Sequence, residues 1–383
     1  MSYHESADTH GKPPELEHHV LPYDSPRLTR NNFDLLRLLF AATVCLVHAY
    51  DLSGYPQLAW LARVLSPASA LKGFFVVSGF LVFMSFERSS SLASYARKRI
   101  RRIYPAYFTV VMLCAVALPA VGSQGVEGYF SLDWGKYVLA NLFFLNFLQP
   151  GLPGVFESNP LAAVNGALWT LKIEVMFYLM VPFFVFLFRR FARLPVLVLT
   201  YGLSLAYVAL LTAAAERTGS GIYLELARQL PGQLSYFMAG AFLYYFLPLF
   251  ERRPVCFLLA AALVLAVDTI VPLPLLEPLA LATVVVFFAL FLYVGNFAKY
   301  GDFSYGVYII HFPVIQLLVQ GGWLRDRPGW FLATLILLTG MGALAMWHLV
   351  EKRFLLRSSH YLAGESLAAA ATDLASDQST PFR

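Results

Sequence analysis

The hydrophobic positions of this chain fall in long blocks rather than in alternation. Apolar runs at 33–51, 73–86, 104–121, 168–188, 195–215, 231–249, 255–271, 279–297, 303–320 and 331–350 are separated by polar or basic stretches. A hydrocarbon core about 30 Å thick needs roughly 20 helical residues at 1.5 Å each. The pattern therefore predicts ten membrane-spanning helices. The run 73–86 is short, and Lys72 at its start predicts that it reaches the interface early. An eleventh apolar piece, 137–149, contains two Asn and has the length of a re-entrant or interfacial helix rather than a span. The expected fold is all-α: a polytopic membrane helix bundle with about ten transmembrane helices plus that short re-entrant or interfacial helix.

Charge placement tests this count, because cytoplasmic loops carry the excess of Lys and Arg. With ten spans and the amino terminus inside, Arg88, the cluster Arg97 to Arg102, Arg189, Arg190, Arg193, Arg252, Arg253 and Lys299 all fall inside. The outer side keeps only Arg63, Lys72, Lys136, Arg217, Arg228, Arg325 and Arg327. Counting 137–149 as a span would move Arg189 to Arg193 and Arg252 to Arg253 outside, so the re-entrant reading is preferred. It places both termini in the cytoplasm and the protein in the inner, cytoplasmic membrane. Residues 1–30 and 356–383 are polar and read as disordered cytoplasmic tails, the first with no cleavable signal pattern. Residues 31–355 then form one membrane domain.

Composition agrees. Hydrophobic residues make up 58% of the chain and charged residues 13%, against about 25% charged in soluble domains, which excludes a soluble enzyme. The balance of 28 Lys and Arg against 23 Asp and Glu gives no support to a nucleic-acid partner. Cys45, Cys114 and Cys256 all lie in apolar runs, without a disulfide framework or metal-ligand spacing, and read as small core hydrophobes. No metal is expected.

Ionisable groups inside spans are costly and are the first candidates for function. The first span carries Asp34, Arg37 and His48. Eleven residues make just over three turns, so Arg37 and His48 share a face about 16 Å apart along the axis, with Asp34 within about 40° of it. The fourth span carries Lys172 and Glu174, flanked by Trp169 and Tyr178. Running in the opposite direction, it brings Glu174 to a depth comparable with His48, where a carboxylate can orient or polarise an imidazole. Lys172 is an equally good partner for Glu174. The ninth span carries a polar stripe of Ser304, Tyr305, Tyr308 and His311, suited to binding substrate or to bonds between helices. The cluster Arg97 to Arg102, including Lys98, suits either anionic lipid or a phosphate ligand, which guanidinium forks grip well.

Six motifs in order then carry a resemblance. They are Asp34 with Arg37-x10-His48, FFVVSGFLV (74–82), RIRRIYPAY (99–107), LWTLKIEVMFYL (168–179), SYGVYIIHFPV (304–314), and Glu351-Lys352 at the end of the last span. Over residues 31–355 the chain resembles the acyltransferase 3 family of integral membrane O-acyltransferases, which includes O-antigen, exopolysaccharide and nodulation-factor O-acetylases. The resemblance implies transfer of an acyl group, usually acetyl from acetyl-CoA, to a hydroxyl of a carbohydrate or lipid-linked glycan. It implies His48 as the catalytic histidine, with Glu174 and Asp34 in the same machinery. Arg37, Arg99 and Arg102, with Lys98, would hold the donor's phosphates. Ser304, Tyr305, Tyr308, His311, Trp169 and Tyr178 would face the substrate. The family's carboxylate motif usually reads W-S-L-x-x-E, and Thr170 and Lys172 depart from it here.

The residues suit this chemistry. Attack on a thioester needs a base for the acceptor hydroxyl, and a histidine, with an ordinary pKa near 6.5, is matched to neutral pH. Direct transfer and an acyl-histidine intermediate are both open. Two positions before Ser78 stands Val76 rather than Gly, so there is no G-x-S-x-G elbow. Loop residues Tyr129, Trp134, Trp323 and Trp330 could stack on sugar rings or form an interfacial belt. The rival class is a multi-span transporter or flippase of a glycan or lipid-linked precursor, since polar residues at mid-membrane are also what a carrier needs. Against it, the two halves show no corresponding interrupted segments.

Overall fold

The computed structural model describes residues 25–356. The expected tails at 1–30 and 356–383 lie outside these residues except at 25–30 and 356. Ordered structure begins ahead of the expected boundary at 31: Pro26–Leu28 forms a single 3-10 turn, and Ser25 donates to Glu251 at 2.6 Å.

Among the described residues there are helices and turns but no strand. Ten helices of 14 to 26 residues match the ten predicted segments. They are α1 (Phe33–Ser53), α2 (Pro67–Glu87), α3 (Leu92–Ala117), α4 (Trp169–Phe191), α5 (Arg193–Thr218), α6 (Leu230–Tyr245), α7 (Pro254–Asp268), α8 (Glu277–Leu290), α9 (Ser304–Gly321) and α10 (Pro328–Met346). Six stretches, those built on α1 to α5 and α10, are long and apolar enough to cross a membrane, and α7 and α8 are shorter apolar helices. This is an all-α polytopic membrane bundle.

Caps explain where the boundaries moved. Ser66 accepts from the Ser69 amide at 3.1 Å and, with Pro67 at the first helical position, starts α2 before Lys72. Lys72 does not end the helix early. Its ammonium lies 3.1 Å from Glu277 on α8 and 5.2 Å from the Tyr236 ring centre, so a partner rather than the interface accommodates the charge. Ser91 caps α3 in the same way, which makes the basic run 97–102 helical. α8 stops at Leu290, short of the expected 297, because the Asn32 amide bonds to the carbonyls of Phe288 and Leu292 at its end.

The eleventh segment departs most from expectation. The short helix is Leu132–Leu142, and 143–165 is non-helical, so 137–149 is neither a span nor one continuous re-entrant helix. Asp133 lies in its first turn, favourable to the helix dipole. Beyond its end, Phe144 takes a positive φ of 61° and buried Asn141 donates to the carbonyls of Tyr137 and Gln149, turning the chain back.

In the bundle α1 packs between α9 and α2, while α6 contacts α2, α5 and α8. The α2–α6 crossing is the closest fit. A Cβ on Gly79 would run into the Phe237 carbonyl, and one on Gly240 into the Val76 carbonyl, so each helix uses a glycine to let the other's backbone in. Of the three cysteines, Cys45 and Cys114 are buried as expected, whereas Cys256 is exposed on apolar α7. Gly240→Val should force the helices apart and cost about 3 kcal/mol, at the upper end of ordinary overpacking. The check is thermal unfolding of the purified protein in detergent, in which the variant should melt well below Gly202→Val, whose site has open space around it.

Candidate active site

The polar groups inside the bundle form two layers joined by a pocket. The first layer lies near the starts of α1 and α9 and about three turns into α3. Asp302, 1% exposed, precedes α9, and its Oδ1 accepts from the Ser304 amide at 3.0 Å and from the Ser304 hydroxyl. Its Oδ2 accepts from Arg37 of α1 at 2.6 Å and from Arg102 of α3. Arg102 also lies 3.6 Å from Glu351, in the π-turn Trp347–Glu351 that follows α10. Asp34 is 3.8 Å from Arg37, one turn away. Four helices thus meet through one carboxylate and its neighbours.

This layer redistributes the expected donor-binding residues. Arg37 and Arg102, with side chains only 18% and 12% exposed, both bond to Asp302, which sequence reasoning passed over. Arg99 lies differently: Nη2 donates to Ser85 at 3.0 Å, the guanidinium lies 5.5 Å from the Tyr178 ring centre, and Nε is buried without a hydrogen bond among the described residues. Lys98 donates to Ser89 at 3.1 Å.

The pocket runs inward from Arg37. Ser78, Thr170, Glu174, Ser304, Tyr305 and Tyr308 line it among leucine and phenylalanine side chains of α2 and α4, around about 530 Å³ of empty space including its mouth. Thr170 fills the place of the family's usual serine, its hydroxyl 2.6 Å from that of Tyr308. Glu174 accepts from the Tyr178 hydroxyl one turn on, at 2.5 Å. Lys172 does not neutralise it: the ammonium donates to Gln229 at 2.7 Å, above the Phe147 ring.

Beyond Tyr308 lies the second layer. His48 Nδ1 is 2.9 Å from His311 Nε2, with the ring centres 5.2 Å apart and the ring planes 25° apart, so the two rings meet edge to edge. His311 is fully buried, its Nδ1 lies 3.1 Å from the Val307 carbonyl, and Tyr308 packs edge-on against it at 5.9 Å. The expected contact between Glu174 and His48 is thus replaced by two separate pairs, Glu174 with Tyr178 and His48 with His311.

Of the six expected substrate residues, Ser304, Tyr305 and Tyr308 line the pocket, while Trp169, Tyr178 and His311 do not. Trp169 packs on the core, Tyr178 serves Glu174, and both ring nitrogens of His311 are taken by His48 and Val307. The Tyr305 hydroxyl is spent on the Ile103 carbonyl at 3.0 Å, so its ring rather than its oxygen is offered to the pocket. Two further polar residues hold the loop before α4 against α9. Asn165 donates to the Ile309 carbonyl at 2.8 Å, and Gln316, 0% exposed, donates to the Ala163 carbonyl at 2.6 Å and accepts from Asn159 at 2.9 Å. Their signal was an amide side chain in or beside an apolar run, the same oddity that singled out Glu174. Among the described residues no group of three His, Cys, Asp or Glu is placed to hold a metal ion.

Residues 30–350 match the acyltransferase-domain family known as acyltransferase 3. Nodulation protein 10 of Rhizobium leguminosarum bv. viciae is 30% identical over 84% of this chain and 92% of its own length. An O-acetyl transferase of Shigella phage Sf6 is 26% identical over 86% of this chain and 97% of its own. No solved structure matches. The chain belongs to the acyltransferase 3 family and is a multi-pass membrane acyltransferase.

Removing the shared carboxylate by Asp302→Ala should cost about 3 to 5 kcal/mol, as breaking a buried ion pair does by leaving buried charge uncompensated. Asp34→Ala, whose 3.8 Å contact with Arg37 is longer than a hydrogen bond, should cost less than Asp302→Ala. Melting temperatures of the two variants in detergent check the contrast.

Proposed function

We propose that the protein is an O-acyltransferase that moves an acyl group, acetyl in the first instance, from acyl-CoA to a hydroxyl of a surface polysaccharide or lipid-linked glycan. The observation that carries this reading is the pocket itself. It starts at the arginine layer and ends on Tyr308, one ring from the His48–His311 pair. Arg37 and His48 lie about 16 Å apart on one face of α1, the distance an extended thioester arm has to bridge.

In this reading Arg99 and Lys98 take the donor's phosphates. The buried, unbonded Nε of Arg99 fits that role, since an anion would supply the missing acceptor. Arg37 and Arg102, bonded to Asp302, shape the entrance. His48 removes the proton of the acceptor hydroxyl as its oxygen attacks the thioester carbonyl. The carbon–sulfur bond breaks, and the proton passes from His48 to the departing thiolate. Glu174, held by Tyr178, flanks the arm in the pocket, and Asp34 supports Arg37. By the positive-inside rule the arginine layer faces the cytoplasm, with both termini, in the inner membrane of a bacterial cell. The acceptor then meets His48 from the other side, beneath the short helix bearing Trp134 and the loop bearing Trp323.

Mass spectrometry of surface glycans from cells with the gene intact, deleted, and restored as His48→Ala tests this. The intact gene should add about 42 Da per acetyl group, and the alanine variant should fail to restore it. With purified protein, His48→Ala should lower turnover by about 10² to 10⁴, the usual contribution of a general base. Arg99→Ala should chiefly raise KM for the acyl-CoA. Turnover of His48→Ala close to wild type would overturn the assignment.

A further inference from the structure

Resting on the reading of His48 as the base, we infer that His311 is a positioning residue that selects the reactive tautomer of His48. The contacts permit one pattern for two neutral imidazoles. The Val307 carbonyl can only accept, so His311 Nδ1, at 3.1 Å, carries its proton. A neutral imidazole has one N–H, so His311 Nε2 holds a lone pair and accepts from His48 Nδ1 at 2.9 Å. His48 Nδ1 is therefore protonated, and its lone pair sits on Nε2, the nitrogen turned away from His311. A base needs its lone pair on the nitrogen that faces the reaction, and here the backbone of α9 supplies that choice through a second ring.

The surroundings hold His311 in this role. Its ring is fully buried against Tyr308 and Phe312, and α9 is clamped to the loop before α4 by Asn165, with Phe312 pressed onto Gly166. A Cβ at Gly166 would meet the Phe312 ring at 2.7 Å, so the loop sits as close as a residue without a side chain allows. When His48 takes the acceptor's proton on Nε2, its Nδ1–H stays on His311, and the imidazolium keeps an acceptor inside the membrane. A substrate-binding role would need a nitrogen that His311 does not have to spare.

The test compares His311→Phe, which keeps an aromatic ring without an acceptor, with His311→Gln, which restores an acceptor oxygen. In reconstituted protein His311→Phe should lower kcat about 10²-fold with KM for acyl-CoA changed less than about threefold, and His311→Gln should recover to within about tenfold of wild type. On the wild type, diethyl pyrocarbonate, which modifies an imidazole nitrogen bearing a lone pair, should label His48 and leave His311 unmodified. Near-normal turnover of His311→Phe, a glutamine variant as slow as the phenylalanine one at equal thermal stability, or labelling of His311 ahead of His48 would overturn the inference. An inactive His48→Ala beside an active His311→Phe would sink this inference alone, whereas an active His48→Ala would sink the function it rests on.

Discussion

The Asp302 carboxylate is the contact on which the rest of the arrangement depends. Inside hydrocarbon a guanidinium without a counter-charge is expensive, and this bundle places two of them, Arg37 and Arg102, on different helices at the same depth. One carboxylate answers both, and it is itself held at the start of α9 by Ser304. Because α1, α3 and α9 must meet there, the directions and depths of those three helices are set together. The same contact requires Arg102 and Asp302 to lie at one end of the bundle. A full span at 137–149 would have separated them, so the electrostatics and the absence of a spanning helix there agree.

Once α1 and α9 are aligned at that end, the register of the other layer follows. His48 lies eleven residues beyond Arg37, and His311 nine residues beyond Asp302. These nearly equal rises on neighbouring helices bring the two imidazoles side by side. The pocket between the layers is lined by Arg37 and Ser304 at one end and by Ser78, Thr170, Glu174 and Tyr308, among apolar side chains of α2 and α4. In the proposed reaction such a site would take the donor's charge at one end and the chemistry at the other, with the thioester arm in the passage between.

Much of this was legible in the chain. Ten helices follow from apolar length alone, and Arg37 and His48 share a face because eleven residues close three turns. Helix starts were less visible: Ser66 and Ser91 begin α2 and α3 well before the apolar runs do, because caps, and for Lys72 the half-buried Glu277, let Lys72 and the basic cluster be helical. Partnership was least legible. Glu174 has His48 and Lys172 as plausible partners by depth and spacing, yet it bonds to Tyr178, and His48 bonds to a histidine 263 positions away. Asp302 sat beside the polar stripe but just outside the apolar run, where an acid reads as interface. Spacing within one helix is a local property, whereas which side chain on another helix completes a buried pair depends on packing that the linear pattern does not encode.

The most direct test of the account is an experimental structure with a non-hydrolysable acyl-CoA analogue in which a methylene separates the sulfur from the carbonyl. The account predicts phosphates against Arg99 and Lys98, the arm running past Arg37 and Tyr308, and the carbonyl carbon within about 4 Å of an acceptor oxygen position that also reaches His48 Nε2. An analogue bound with its carbonyl at the arginine layer, or outside the pocket and away from the His48–His311 pair, would contradict it.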